Sequence, residues 1–93
     1  MIRSVRGKTA ELILAGRFAA RFPASLTRLA ARKLEYLNAA GAIEDLRLPP
    51  GNHLEPLRGD REGQYSIRIN EKWRICFVWK DGDAHDVEVV DYH

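Results

Sequence analysis

The sequence predicts an α+β fold in which two N-terminal helices pack on one face of a twisted, mainly antiparallel sheet. Three observations carry that prediction. Apolar residues recur at three- and four-residue spacing ahead of Pro49-Pro50-Gly51-Asn52, whereas behind it they alternate with polar ones. The alternating runs are joined by connections too short for a parallel crossover, so they fold back on one another as hairpins.

From the N-terminus, Ile2 to Arg6 alternates weakly and supports only a short first strand. Lys8 to Phe22 reads as a helix with Leu12, Ile13, Ala15 and Phe18 apolar, but Gly16 weakens its middle, so it is expected to be short or bent. Pro23 interrupts the chain. Ser25 is placed as N-cap of a second helix, whose apolar stripe is Leu26, Leu29, Ala30, Leu34 and Leu37 and which stops near Gly41. Arg28, Arg32 and Glu35 fall on its solvent side. Ala42 to Leu48 adds a helical turn before the proline pair forces a loop. Four strands follow at His53–Leu57, Gln64–Ile69, Trp73–Trp79 and Val87–Tyr92. Within the second strand Tyr65, Ile67 and Ile69 share one face and Gln64, Ser66, Arg68 and Asn70 the other; within the third Trp73, Ile75, Phe77 and Trp79 share a face, leaving Arg74, Cys76 and Val78 opposite, so one side can pack on the helices.

A chain of 93 residues divides poorly into two cores, so residues 1–93 are taken as a single domain. With 45% hydrophobic and 30% charged residues it belongs with neither disordered nor membrane-embedded chains. The N-terminus lacks the apolar core of a signal peptide, which makes the cytoplasm the expected address. The lone Cys76, flanked by Ile75 and Phe77, reads as a small buried filler, and no Cys/His spacing suggests a metal.

The net charge of +2 hides an asymmetry: residues 1–40 carry eight Lys/Arg against Glu11 and Glu35, while the rest carry seven against eleven acids. A polyanion partner for the helical half would suit that distribution; solvated helix faces account for it equally well.

No phosphate-cradling glycine loop or nucleophile elbow is present. What the sheet half does hold is Glu55, Arg58, Arg61, Arg68, Arg74 and the run Asp91-Tyr92-His93, while His53 and His85 sit beside loops and read as solvated. These groups suit metal-free, cofactor-free cleavage of RNA by its own 2′-hydroxyl. That reaction needs a base for the hydroxyl proton, cations for the phosphorane-like transition state and an acid for the departing 5′-oxygen. A histidine is the natural acid near neutral pH. Spacing alone does not bring them together: Arg58, Arg61 and Arg68 also fit surface pairs with Asp60 or Glu62, and Trp73 and Trp79 fit the core.

The runs Leu54-Glu55-Pro56-Leu57-Arg58-Gly59-Asp60-Arg61, Gly63-Gln64-Tyr65-Ser66-Ile67-Arg68-Ile69-Asn70, Trp73-Arg74-Ile75-Cys76-Phe77 and Val89-Val90-Asp91-Tyr92-His93 resemble the HigB toxins, plasmid-maintenance killer proteins of the RelE/ParE superfamily. The resemblance spans essentially the whole chain and is most specific in its C-terminal half. It implies a ribosome-dependent endoribonuclease that cuts mRNA in the 70S A site, without metal, and that is neutralised by a HigA-type helix-turn-helix antitoxin. It also implies catalytic or RNA-positioning roles for Asp91, Tyr92 and His93, with Arg58 where the family often has lysine. HigB members commonly carry histidine in place of Glu55, but the related YoeB branch shares Glu-Pro-Leu here and uses that glutamate as base. By that match Glu55 is the base, Arg74 and Arg58 stabilise the phosphate and His93 is the acid, with His53 the fallback base and Arg61, Arg68 and His53 contacting RNA. A ParE-like toxin that binds DNA gyrase is the alternative on the same fold; it needs neither Glu55 nor His93.

Overall fold

The computed structural model describes residues 1–91; Tyr92 and His93, to which the resemblance assigns site roles, lie outside the described residues. Helix α1 spans Lys8–Leu14 and α2 spans Thr27–Ala39, with short 3-10 turns at Ala24–Leu26, Ile43–Arg47, Pro50–Asn52 and Gly59–Arg61. Strands β1 (Glu55–Pro56), β2 (Gln64–Arg68), β3 (Trp73–Lys80) and β4 (Asp83–Asp91) form an antiparallel sheet in the order β1-β2-β3-β4. The N-terminal segment lies along the free edge of β4 through parallel bridges at Ile2–Ala84 and Val5–Val87, which is the weak first strand of the sequence. Among the described residues no helix is long and apolar enough to cross a membrane.

Several boundaries differ from expectation, each for a local reason. Helix α1 ends at Leu14 rather than running to Phe22. Gly16 stands at φ 76°, and the amides of Gly16 and Arg17 donate back to the carbonyls of Ile13 and Leu12 at 3.0 and 2.9 Å, a glycine-terminated helix end. Ser25 caps nothing; it sits inside the 3-10 turn that precedes α2. The strand expected at His53–Leu57 shrinks to Glu55–Pro56, because His53 is in the left-handed region at φ 43° and Pro56 lacks the amide that would extend a ladder. Strand β4 begins at Asp83, four residues early. Asp81 and Gly82 both take positive φ (54° and 79°), a two-residue turn that lets Lys80 pair directly with Asp83. A bulge at Asp86 (φ 52°) then shifts the phase, so that Ala84 and Val87 are both fully buried although three residues apart.

The core lies between the helices and one face of the sheet. Ile13 of α1 and Ala30, Leu34 and Leu37 of α2 cluster with Ile67, Ile75, Phe77, Ala84 and Val87. Phe22 meets Trp73 edge-on at 4.9 Å and Trp79 stands edge-on to Phe77 at 6.4 Å, which gives both tryptophans the core-rim role their strand positions predict. Arg28, Arg32 and Glu35 are exposed as their helical phase requires.

Candidate active site

The opposite face of the sheet is organised by register. Glu55 pairs with Ser66, Ser66 with Cys76 and Cys76 with Glu88, a polar row running across all four strands; the next row pairs Arg68 with Arg74 and Arg74 with Val90. The turn that sets this register is built by Asn70, whose side-chain oxygen accepts the amides of Lys72 at 2.9 Å and Trp73 at 2.8 Å.

Arg74 is the centre of the arrangement. Its side chain is about 10% exposed. Its Nε donates to Ser66 Oγ at 2.7 Å, and its Nη2 donates to the His53 carbonyl at 2.6 Å and reaches Glu55 Oε1 at 3.3 Å. A guanidinium held by several partners in a mostly buried place cannot sample rotamers, so its charge points in one direction. Glu55, by contrast, is half exposed at the mouth of a cavity of about 280 Å³ lined by His53, Glu55, Arg68, Asn70, Glu71 and Arg74. A larger groove of about 470 Å³ between α1 and α2 is lined mainly by apolar side chains with a single Arg28, and lacks the acid and base that chemistry would require.

Arg68 and Arg74 are direct cross-strand neighbours facing the same cavity. Like charges placed opposite each other are destabilising in a sheet unless opposite charges lie near them, and Glu55 and Glu71, which line the same cavity, supply two carboxylates there. The cleft thus sets two guanidiniums beside carboxylates, groups that can bind a phosphodiester oxygen and accept a proton respectively.

The structure brings together His53, Glu55, Arg68 and Arg74 of the residues singled out by sequence. Arg58 is exposed and lines an adjoining depression that it shares with Glu55. His53 enters this geometry through its backbone carbonyl, and its left-handed backbone takes it out of the strand expected at His53–Leu57. Arg61 is directed elsewhere: its Nη1 pairs with Glu88 at 3.1 Å and with Gln64 Oε1 at 3.2 Å, neither of them the Asp60 or Glu62 partner considered from sequence. Asp91 pairs with Trp73 at the end of β4 and lies 3.6 Å from the Lys72 ammonium. Cys76 is fully buried, and burial, opposed by the nearby Arg61, pushes its thiol above the ordinary range, which suits a filler and not a nucleophile. Ser66 is a site residue that sequence reasoning missed. Its signal was present, since the Asn70-Glu71-Lys72 turn fixes the hairpin register and puts Ser66 diagonal to Arg74 on the polar face.

Comparison with known proteins places the chain in a family. A profile described as the RelE-like toxin of type II toxin-antitoxin system HigB matches residues 16–93. The chain is 50% identical over 62 residues to Toxin HigB-1 of Vibrio cholerae, an alignment covering 67% of this chain and 65%, just under two thirds, of that protein. It is 33% identical over the full length of both chains to the Endoribonuclease HigB of Proteus vulgaris. Among solved structures, the YoeB-YefM complex of Staphylococcus aureus superposes with a TM-score of 0.62 at 18% identity, covering 100% of this chain and 98% of the other. A YafQ mutant from E. coli gives 0.58 at 18% identity over 98% and 93%. The fold is thus shared with these toxins, and the chain belongs to the HigB-like family of RelE-like toxins of type II toxin–antitoxin systems.

Proposed function

We propose that this protein is an endoribonuclease that cleaves mRNA in the ribosomal A site, by attack of the RNA's own 2′-hydroxyl and without a metal or other cofactor. The observation that carries the reading is the Glu55 carboxylate 3.3 Å from a buried Arg74 that is itself paired across the sheet with Arg68. Family membership and the endoribonuclease name of the Proteus vulgaris relative support it.

In this reading the scissile phosphate enters the cleft between Arg68 and Arg74. Glu55 takes the proton of the adjacent 2′-hydroxyl, the 2′-oxygen attacks phosphorus and the P–O5′ bond breaks. The leaving 5′-oxygen receives a proton from His93, and the products are a 2′,3′-cyclic phosphate and a 5′-hydroxyl. The fixed guanidinium of Arg74, with Arg58 from the adjoining depression, stabilises the charge that develops on the phosphoryl oxygens. Asp91 and Tyr92 position the RNA beside His93; Arg68 and the His53 imidazole contact its backbone in the cleft, and Arg61, paired with Glu88, contacts the RNA outside it. A cleft with so few acting groups depends on in-line geometry, which the ribosome supplies by holding the message. The whole of residues 1–93 acts as one domain in the cytoplasm, and a HigA-type helix-turn-helix antitoxin neutralises it; the YoeB-YefM complex is the structural precedent for a toxin of this fold held by a partner.

The test is to map cleavage ends on a message translated in a purified system. Wild-type protein leaves 2′,3′-cyclic phosphate ends and cuts free RNA far more slowly than ribosome-bound message. Glu55→Ala and His93→Ala each lower cutting by about 10²-fold or more. Undiminished cutting by both variants refutes the assigned roles, and equal rates on free RNA refute the requirement for the ribosome.

A further inference from the structure

Behind the cleft lies a second buried polar unit to which the proposed chemistry assigns no part. Asn52 is fully buried. Its Nδ2 donates to the carbonyls of Leu46 and Leu48, both at 3.2 Å, and its Oδ1 accepts from the Lys33 ammonium at 2.5 Å. Lys33 belongs to α2, is itself only 7% exposed and lies 5.8 Å from the Tyr36 ring. An ammonium can only donate, so it fixes the amide with its oxygen toward Lys33 and its nitrogen toward the two carbonyls. Burying an ammonium is unfavourable unless it is well partnered, and an apolar pair of the same volume would hold the core as well. This pair is therefore unlike the rest of the α2 core face, which is alanine and leucine.

The neighbouring segment on the C-terminal side of Asn52 accounts for the pair. His53, directly after it, is in the left-handed region at φ 43° and ψ 57°, and its carbonyl receives Arg74 Nη2 at 2.6 Å. Two residues later Glu55 meets the same nitrogen at 3.3 Å. The Asn52 anchor thus holds the short segment that gives Arg74 two of its partners, and Lys33 holds Asn52.

We infer that Lys33 and Asn52 form a positioning unit which, through the His53 carbonyl, sets the direction of the Arg74 guanidinium and its distance from Glu55. Neither is a catalytic residue. The inference rests on the nuclease reading for its activity readout only.

The double variant Lys33→Met/Asn52→Leu tests positioning without a buried charge, because it replaces both polar side chains by apolar groups of similar size; the Leu46 and Leu48 carbonyls lose their donor, which costs stability but touches neither Arg74 nor Glu55. Positioning predicts a folded protein whose kcat for cutting a translated message falls about tenfold to a hundredfold while KM stays within about twofold, as expected for misaligned reacting groups. It also predicts that the guanidinium protons of Arg74, followed by nitrogen-15 NMR, exchange with solvent at least about tenfold faster than in wild type, since a lost acceptor frees them to water. A purely structural pair predicts wild-type kcat and wild-type Arg74 exchange in the folded double variant, and that result overturns the inference. If the double variant does not fold, Lys33→Met alone, which removes only the ammonium, must still speed Arg74 exchange; unchanged exchange there overturns it equally. The NMR comparison needs no nuclease activity, so a wild-type protein that fails to cut RNA would refute the proposed function and leave the positioning test standing.

Discussion

Strand β3 presents two faces that are about equally buried and chemically opposite. Ile75 and Phe77 point into the helices with no exposed surface, while Arg74 and Cys76, one residue out of phase, are 9% and 0% exposed on the other side. The helix-covered face is held by apolar burial and dispersion, forces that act over an area and tolerate some repacking. The polar face is held by directed bonds: Arg74 to Ser66, His53 and Glu55, and Arg61 to Glu88 and Gln64. Among the described residues every buried side-chain nitrogen or oxygen has a partner. The difference teaches where stability and function reside in so small a domain. Burial on the first face provides the free energy of folding, and that allows the second to hold two arginines side by side.

The sharpest way to break the contrast is to enlarge a void on the apolar side. Phe77→Ala should cost about 3–5 kcal/mol in urea unfolding at neutral pH, a large share of what a domain of this size possesses. Cutting per folded molecule should change little. On the polar side, Arg74→Met should do the reverse. Its cutting rate should fall about 10²-fold to 10³-fold through loss of a fixed transition-state donor. Its stability should fall by about 1–3 kcal/mol, from the acceptors left at Ser66 and His53. If Arg74→Met lost more stability than Phe77→Ala, or Phe77→Ala lost turnover in its folded fraction, the division of labour between the faces would be wrong.

Much of this contrast is legible in the sequence. Alternation in Trp73–Trp79 assigns Ile75 and Phe77 to one side and Arg74 and Cys76 to the other, and the tight hairpin turn puts Arg68 opposite Arg74. The 3.6-residue period of α2 gives its buried stripe. The missing parts share a cause, since each depends on backbone outside regular periodicity. Gly16 ends a helix instead of weakening one, the bulge at Asp86 conceals the start of β4 by breaking alternation, and His53 contributes a carbonyl that no side-chain pattern can announce. Lys33 is hidden for another reason: its place on the buried side of α2 looks like an error in an apolar stripe until Asn52, nineteen residues on, supplies its partner.

A smaller effect separates the two halves of the polar face. Arg61 and Glu88 are each about a quarter to a third exposed, so their 3.1 Å pair is screened by water in a way the bonds of Arg74 to Ser66 and the His53 carbonyl are not. Glu88→Gln should change stability by about 0.2–1 kcal/mol and should lose that increment in about 1 M salt, whereas the Arg74→Met deficit should persist. Equal salt sensitivity of the two variants would show that the cleft is as solvated as its rim.

The least effect is expected at the far edge of the sheet, where Asp83 joins the N-terminal segment to β4. Its carboxylate accepts from Arg3 Nε at 3.1 Å and lies 3.1 Å from the Met1 ammonium, and these two cations hold its pKa below the ordinary carboxylate value. A carboxyl depressed in the folded state binds fewer protons there than in the unfolded chain. Its contribution is therefore complete above the unfolded pKa, near 4, and disappears as pH falls through the lower folded value. Asp83→Asn should remove that dependence, giving a urea midpoint that declines less steeply than wild type as pH falls below about 4. Cutting at neutral pH should be unchanged, because Asp83 and Arg3 lie at the opposite sheet edge from β1 and Glu55. A loss of turnover in this variant would mean that the N-terminal edge communicates with the cleft across β4, β3 and β2.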